Sequence, residues 1–142
     1  MNHITEYSQK IESGEIKVSR RIKAVYSRLA AAVTEKGGQY VFDENKAQRP
    51  IAFIERFCKH SKGEWAGKSV RLELFQKAYI EALFGFVDRE TGYRKYRESF
   101  FLVGRKNGKS TLLAGLSLYM LTSDGEGGAE VYSTATKYAQ AR

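Results

Sequence analysis

Phe100-Phe-Leu-Val-Gly-Arg-Lys-Asn-Gly-Lys-Ser-Thr-Leu-Leu-Ala-Gly115 is the stretch on which the fold turns. Arg97–Val103 (R-E-S-F-F-L-V) ends in an unbroken apolar run rich in β-favouring side chains, the pattern of a strand covered on both faces. Leu112–Leu121 is apolar nearly all round and predicts a buried helix. Between them lie Gly104, Arg105, Lys106, Asn107, Gly108, Lys109, Ser110 and Thr111. A strand that delivers the chain, a glycine-bearing turn and a helix N-terminus together make a cradle of backbone N–H groups suited to a phosphate. In that reading Gly108 lets the backbone approach the anion. Lys109 sets an ammonium on the β- and γ-phosphate oxygens, and the Ser110 hydroxyl ligates Mg²⁺. The match to G-x-x-x-x-G-K-[ST] is imperfect, because Val103 stands where the first glycine belongs and the glycine falls at 104. The basic pair Arg105-Lys106 sits inside the loop, where an arginine can stabilise charge on a transferring phosphoryl group. The competing reading is a plain surface turn on Asn107-Gly108, a good turn dipeptide. The apolar flanks, Lys109 and Ser110 weigh against that reading and for ATP with Mg²⁺.

Working outward, a second strand is expected at Ala129–Thr134 and a helix start at Ala135–Arg142. Upstream, Leu72–Phe86 predicts a helix whose face is Leu74, Phe75, Ala78, Tyr79, Ala82, Leu83 and Phe86. Gln76 lies on it, and a carboxamide can meet an adenine edge with a donor and an acceptor at once. Trp65, in the Ser61–Ser69 loop, reads as a core residue rather than a base-stacking one. The first part of the chain is helical: stripes from Ile4 to Ile11 and from Ile16 to Val33 are parted by Ser13-Gly14-Glu15. Asp43–Lys59 forms a further amphipathic segment, with Pro50 expected near an end or a kink. The resulting class is α/β, with a mostly helical region over 1–66 and the beginning of a nucleotide-binding domain over 67–142.

The chain has 142 residues, 42% of them apolar, enough for one ordinary domain with a modest core and unlike a disordered protein. Its 24 Lys and Arg against 16 Asp and Glu leave a formal charge of +8, which favours polyanionic partners. Lys17, Arg20, Arg21, Lys23 and Arg28 decorate one predicted helix and read first as a solvated face. A single cysteine, Cys58, excludes an intramolecular disulfide, and with only His60 beside it and His3 far off a metal site is short of ligands. The opening MNHITEYSQK lacks the apolar run of a secretory leader, and no apolar stretch approaches the roughly 20 residues of a bilayer span.

With these residues set out, the chain resembles the large terminase subunits of tailed bacteriophages, whose phosphate loop reads R-K-N-G-K-[ST]. The likeness extends to Y-S-Q-K-I-E-S-G-E-I, Y-V-F-D-E-N-K-A-Q-R-P-I-A-F-I-E, K-G-E-W-A-G-K, L-E-L-F-Q-K-A-Y-I-E-A-L-F-G-F and A-E-V-Y-S-T-A-T-K-Y-A-Q-A. The resemblance implies the start of a P-loop NTPase (ASCE-type) parallel sheet. It further implies an ATP-driven motor that moves double-stranded DNA through a portal protein into a capsid, in the cytoplasm of an infected bacterium. A small terminase subunit and a homo-oligomeric ring are implied partners. It gives Gln76 the role of adenine reader and puts Arg105 on the loop arginine that senses the γ-phosphate. Phe75 departs from the tryptophan usual before that glutamine. No Walker B carboxylate follows the loop: Asp124 and Glu126 lie in a Gly-rich loop, and Glu130 begins rather than ends a strand. The expectation is therefore a chain truncated before Walker B and lacking the nuclease domain, which binds ATP without hydrolysing it efficiently. A helicase or translocase-like ATPase fragment and a non-enzymatic basic DNA-binding remnant are the alternatives.

Overall fold

A computed structural model describes residues 1–61 and 63–134. The chain divides into two units, Met1–Gly104 and Arg105–Arg142. Among the described residues there are five helices and two short strands.

The first unit begins with α1 (His3–Glu12), opened by the Asn2 side chain accepting the Thr5 N–H at 2.9 Å. It stops where Gly14 takes φ +81°, a conformation that costs glycine little. Ser19 caps α2 (Arg20–Thr34) by accepting the Ile22 N–H, and Asp43 does the same for α3 (Glu44–Phe57) through Lys46. Glu73 and Gln76 close a reciprocal capping box around the start of α4 (Leu74–Gly85). These four helices agree with the segments expected from periodicity.

Of the two positions expected for Pro50, an end or a kink, the end is excluded: it lies in the middle of α3. Its ring is fully buried, and that burial works against the loss of one intrahelical hydrogen bond. α4 also differs. Its deepest residues include Gln76, Ile80, Glu81 and Phe84, off the stripe that hydropathy picks out, because α1 and α3 both pack on it.

β1 (Tyr40–Phe42) and β2 (Phe86–Asp88) pair antiparallel, Val41 opposite Val87 and Phe42 opposite Phe86. Each is three residues long, and their partners are more than forty residues apart, so neither shows in a local pattern. The core gathers Ile4, Tyr7 and Ile11 of α1, Tyr26 and Leu29 of α2, Ala78 of α4 and Phe86. Tyr7 meets Tyr26 edge to face at 4.7 Å, an aromatic geometry that adds to simple burial. Trp65 is a correction: it is 60% exposed, with the Lys68 ammonium 4.7 Å from its ring centroid rather than a core around it.

In the second unit α5 (Lys109–Thr122) follows the loop as expected, but it is not buried all round. Leu112, Gly115, Leu116 and Tyr119 form one buried stripe at helical spacing, while Leu113, Leu118 and Leu121 are exposed. The expected strands at 97–103 and 129–134 are irregular, and the β1–β2 ladder is the one sheet among the described residues. A strand exists only through a neighbour that completes its hydrogen bonds, and neither segment has one there. The helix expected at 135–142 lies outside the described residues.

Candidate functional site

The loop is built by two residues in the left-handed region. Lys106 has φ +64°, unusual for a side-chain-bearing residue, and Gly108 has φ +69° as the N-cap of α5. Between them the Asn107 amide donates to the Arg105 carbonyl at 3.3 Å. This alternation of the backbone around 106–108 turns successive N–H groups, and the glycine at the cap brings no side chain to the helix start. No side-chain hydrogen bond caps α5, and its first turn holds no acidic residue. The opening N–H groups of a helix have no intrahelical acceptor, so an uncapped start with Lys109 and Ser110 in its first turn is disposed toward an anion. Gly104, Arg105, Lys106, Asn107, Gly108, Lys109 and Ser110 are all exposed, and Thr111 is half-buried. Both the amide dipoles and the three cations of the loop point to the same ligand charge.

The chain reaches the loop along the first unit. Phe101 stacks on Tyr79 of α4 with ring centroids 4.4 Å apart, and the Tyr79 hydroxyl shares a hydrogen bond with Ser99 Oγ at 2.7 Å. Exposure alternates along the segment: Phe100 and Leu102 are 89% and 82% exposed, while Phe101 and Val103 are half-buried. Phe101 and Val103 line a groove of about 870 Å³ together with Tyr26, Leu29, Phe75 and Tyr79.

Gln76 is buried, and its Oε1 accepts the Glu73 N–H at 2.9 Å. Its carbonyl therefore has a role in holding the start of α4. A carboxamide oxygen carries two lone pairs, so capping does not exhaust it as an acceptor.

A polar cluster that hydropathy does not reveal lies one and a half turns further along α4. The Glu81 carboxylate is fully buried. It accepts from His3 Nδ1 at 2.6 Å, from the Ile4 N–H at 2.9 Å and from Gln48 Nε2. One side chain thus ties α1, α3 and α4 together, and Lys77 adds an ion pair to Glu55 of α3 at 3.1 Å. The available signal was a lone acid in the otherwise apolar run A-Y-I-E-A-L-F-G-F. A carboxylate there requires donors from elsewhere in the chain.

Residues 74–142 match the family model described as "Terminase large subunit, ATPase domain". The terminase large subunit of Enterobacteria phage HK97 is 40% identical over 73 residues, which are 51% of this chain and 13% of that protein. No solved structure matches. The likeness to terminase large subunits is thus shown for the C-terminal half of the chain, and the chain spans a small share of the relative's length. The matched segment holds α4, the loop and α5. Among the described residues no helix is long and apolar enough to cross a membrane.

Proposed function

We propose that this chain is the ATP-binding part of a motor that moves double-stranded DNA into a viral capsid. The observation that carries the reading is the uncapped, glycine-led start of α5 behind a loop with three basic residues, inside the segment that matches the terminase ATPase family. Lys109 neutralises the β- and γ-phosphates, and the backbone N–H groups around Gly108 hold their oxygens. Ser110 supplies a hydroxyl to Mg²⁺, and Arg105 lies against the γ-phosphate. Gly104, Lys106, Asn107 and Thr111 complete the cradle. The alternating exposure of Phe100–Val103 supports an extended segment with two apolar faces, which we assign as a strand of a parallel sheet.

Hydrolysis needs a carboxylate on Mg²⁺ and an acid that orients water. After the loop this chain offers Asp124, Glu126 and Glu130, and the Glu130 carboxylate accepts a hydrogen bond from the Tyr132 hydroxyl. None of the three ends an apolar strand, so residues 1–142 by themselves bind ATP with little turnover in this reading. Portal protein, a small terminase subunit and further copies in a ring are the partners this reading entails, with the host cytoplasm as its location.

Gln76 reads the adenine base. Its test separates base reading from capping, because Gln76→Glu keeps the N3 side chain that the capping box prefers while removing the amide donor. Fluorescent-nucleotide titration should then show wild type preferring ATP to GTP and Gln76→Glu losing that preference, with a melting curve that shows the variant still folded, at a lower midpoint because a carboxylate replaces a buried amide. Equal affinity of the wild type for ATP and GTP contradicts the assignment of Gln76. No binding of either nucleotide contradicts the function as a whole.

A further inference from the structure

We infer that the outer face of α2 is a contact surface for the phosphate backbone of duplex DNA, an interaction separate from the nucleotide loop. The sequence of α2, R-R-I-K-A-V-Y-S-R-L-A-A-A-V-T, contains four basic residues and no acidic one. Tyr26 and Leu29 fix its inward side, leaving Arg20, Arg21, Ala24, Ser27, Arg28 and Ala31 exposed. Those six positions fall on one side of a helix with 3.6 residues per turn.

Two features distinguish this face from an ordinary solvated one. Arg20 and Arg21 stand in the first turn, where the helix dipole disfavours cations. Solvation gives no reason to put them there, whereas an anion would be held by both the guanidinium groups and the dipole. Lys23 is neutralised by Glu12 at 3.0 Å, but Arg20, Arg21 and Arg28 have no acidic partner among the described residues. The one hydrogen bond from Arg28 runs from Nε to the Ala24 carbonyl at 3.4 Å.

The shape of the face selects the class of polyanion. Between the arginines the outward side chains are Ala24, Ser27 and Ala31, so a partner can approach the helix closely. Arg20 and Arg28 lie about 12 Å apart along the axis at 1.5 Å per residue. That is about the width of the B-DNA major groove, so the two ends can reach phosphates on its opposite walls. A protein partner would bring a large buried anchor residue, and none projects from this outer face to receive one. Anionic lipid, which attracts basic clusters by charge alone, is distinguished by the vesicle arm of the test. Ile22 and Val25 are 39% and 38% exposed, but both fall outside the arc that holds the arginines.

The test uses the whole chain, a labelled duplex of mixed sequence and a salt titration. R20Q/R21Q/R28Q should weaken binding at least tenfold. It should also reduce the slope of log K against log salt by about 2.7, since each phosphate contact contributes about 0.9. A second triple, R56Q/K59Q/K68Q, removes the same charge from exposed positions of the same unit and should leave the slope near wild type. Circular dichroism melts check that both variants fold. Equal losses in the two triples would mean diffuse attraction and overturn the inference, as would an unchanged slope in the α2 triple or no duplex binding by wild type. Tight binding of the wild type to anionic vesicles, lost in the α2 triple without a change in the duplex slope, would likewise overturn it in favour of a membrane. ATP affinity, measured in parallel, is expected to be unaffected by the α2 substitutions, so failure here stays distinct from failure of the nucleotide reading.

Discussion

Replacing Glu81 with alanine should cost more stability than any other single truncation of a polar side chain in the first unit. Its carboxylate is wholly buried and accepts from His3, Gln48 and the Ile4 N–H. These donors do not suffer equally when it is removed. Ile4 is fully buried, and the Asn2 cap is directed to Thr5, so the Ile4 N–H would be left without an acceptor. An orphaned buried donor costs about 1–3 kcal/mol. The His3 side chain is 25% exposed, so water can replace part of its interaction. Gln48 and the lost packing volume add further terms, and the sum falls at about 3–5 kcal/mol, the range for breaking a buried polar pair. At about 4 °C per kcal/mol for a chain of this size, Glu81→Ala should melt roughly 12–20 °C below wild type. His3→Ala leaves Ile4 and Gln48 on the carboxylate and should cost about 1–2 kcal/mol. Urea titration followed by helical circular dichroism measures both. A Glu81→Ala variant within about 1 kcal/mol of wild type, or no worse than His3→Ala, would refute the reasoning.

Three further outcomes are expected. Gly85→Ala should destabilise by about 1–2 kcal/mol: the new Cβ would stand 2.4 Å from Phe42 Cε2 and 2.9 Å from Ala47 Cβ. That overpacking exceeds the roughly 1 kcal/mol gain in helix propensity, and a higher urea midpoint would contradict it. The Asp88 carboxyl is held down at about 2, chiefly by the Thr91 N–H and then by the Gln39 side chain and the Glu90 N–H. Because the folded value lies below the unfolded one, its contribution is present above about pH 4 and disappears as pH falls toward 2. The Glu90 and Thr91 amide resonances should therefore titrate with a midpoint near 2, and a midpoint near 4 would show the turn contacts to be absent. Lys106→Gly and Lys106→Ala both remove the ammonium, but only glycine relieves the positive φ, worth about 1 kcal/mol. Because the folded loop already carries that φ, the strain acts on folding: Lys106→Gly should be about 1 kcal/mol more stable to urea than Lys106→Ala, and equal urea midpoints would mean that the left-handed turn is not populated in solution.

The helices were legible because their apolar stripes and the Ser13–Glu15 breaker are local. The caps at Ser19 and Asp43 are equally local, but periodicity does not register them, and α2 starts at Arg20 rather than at Ile16. The helix start behind the loop was legible because it too is local, with Gly108 and Lys109 adjacent to the helix they begin. What escaped the sequence depends on distant partners. β1 and β2 pair across more than forty intervening residues, and the buried Glu81 carboxylate has His3, 78 residues away in the chain, among its partners. Trp65 misled because hydropathy carries no information about which large side chain finds a cover. The exposed side of α5 shows the same limit: an apolar composition is a demand for a covering layer, not evidence that one is present.

The most direct test of the central claim is calorimetric titration of ATP, with Mg²⁺ present, into the wild-type chain and into Lys109→Ala. Lys109 sits in the first turn of α5, exposed beside an N-terminus that no side chain caps, so its removal should weaken ATP at least tenfold without changing the melting temperature. Equal ATP affinity in the two proteins would mean that the loop is a surface turn and that the nucleotide-binding account is wrong.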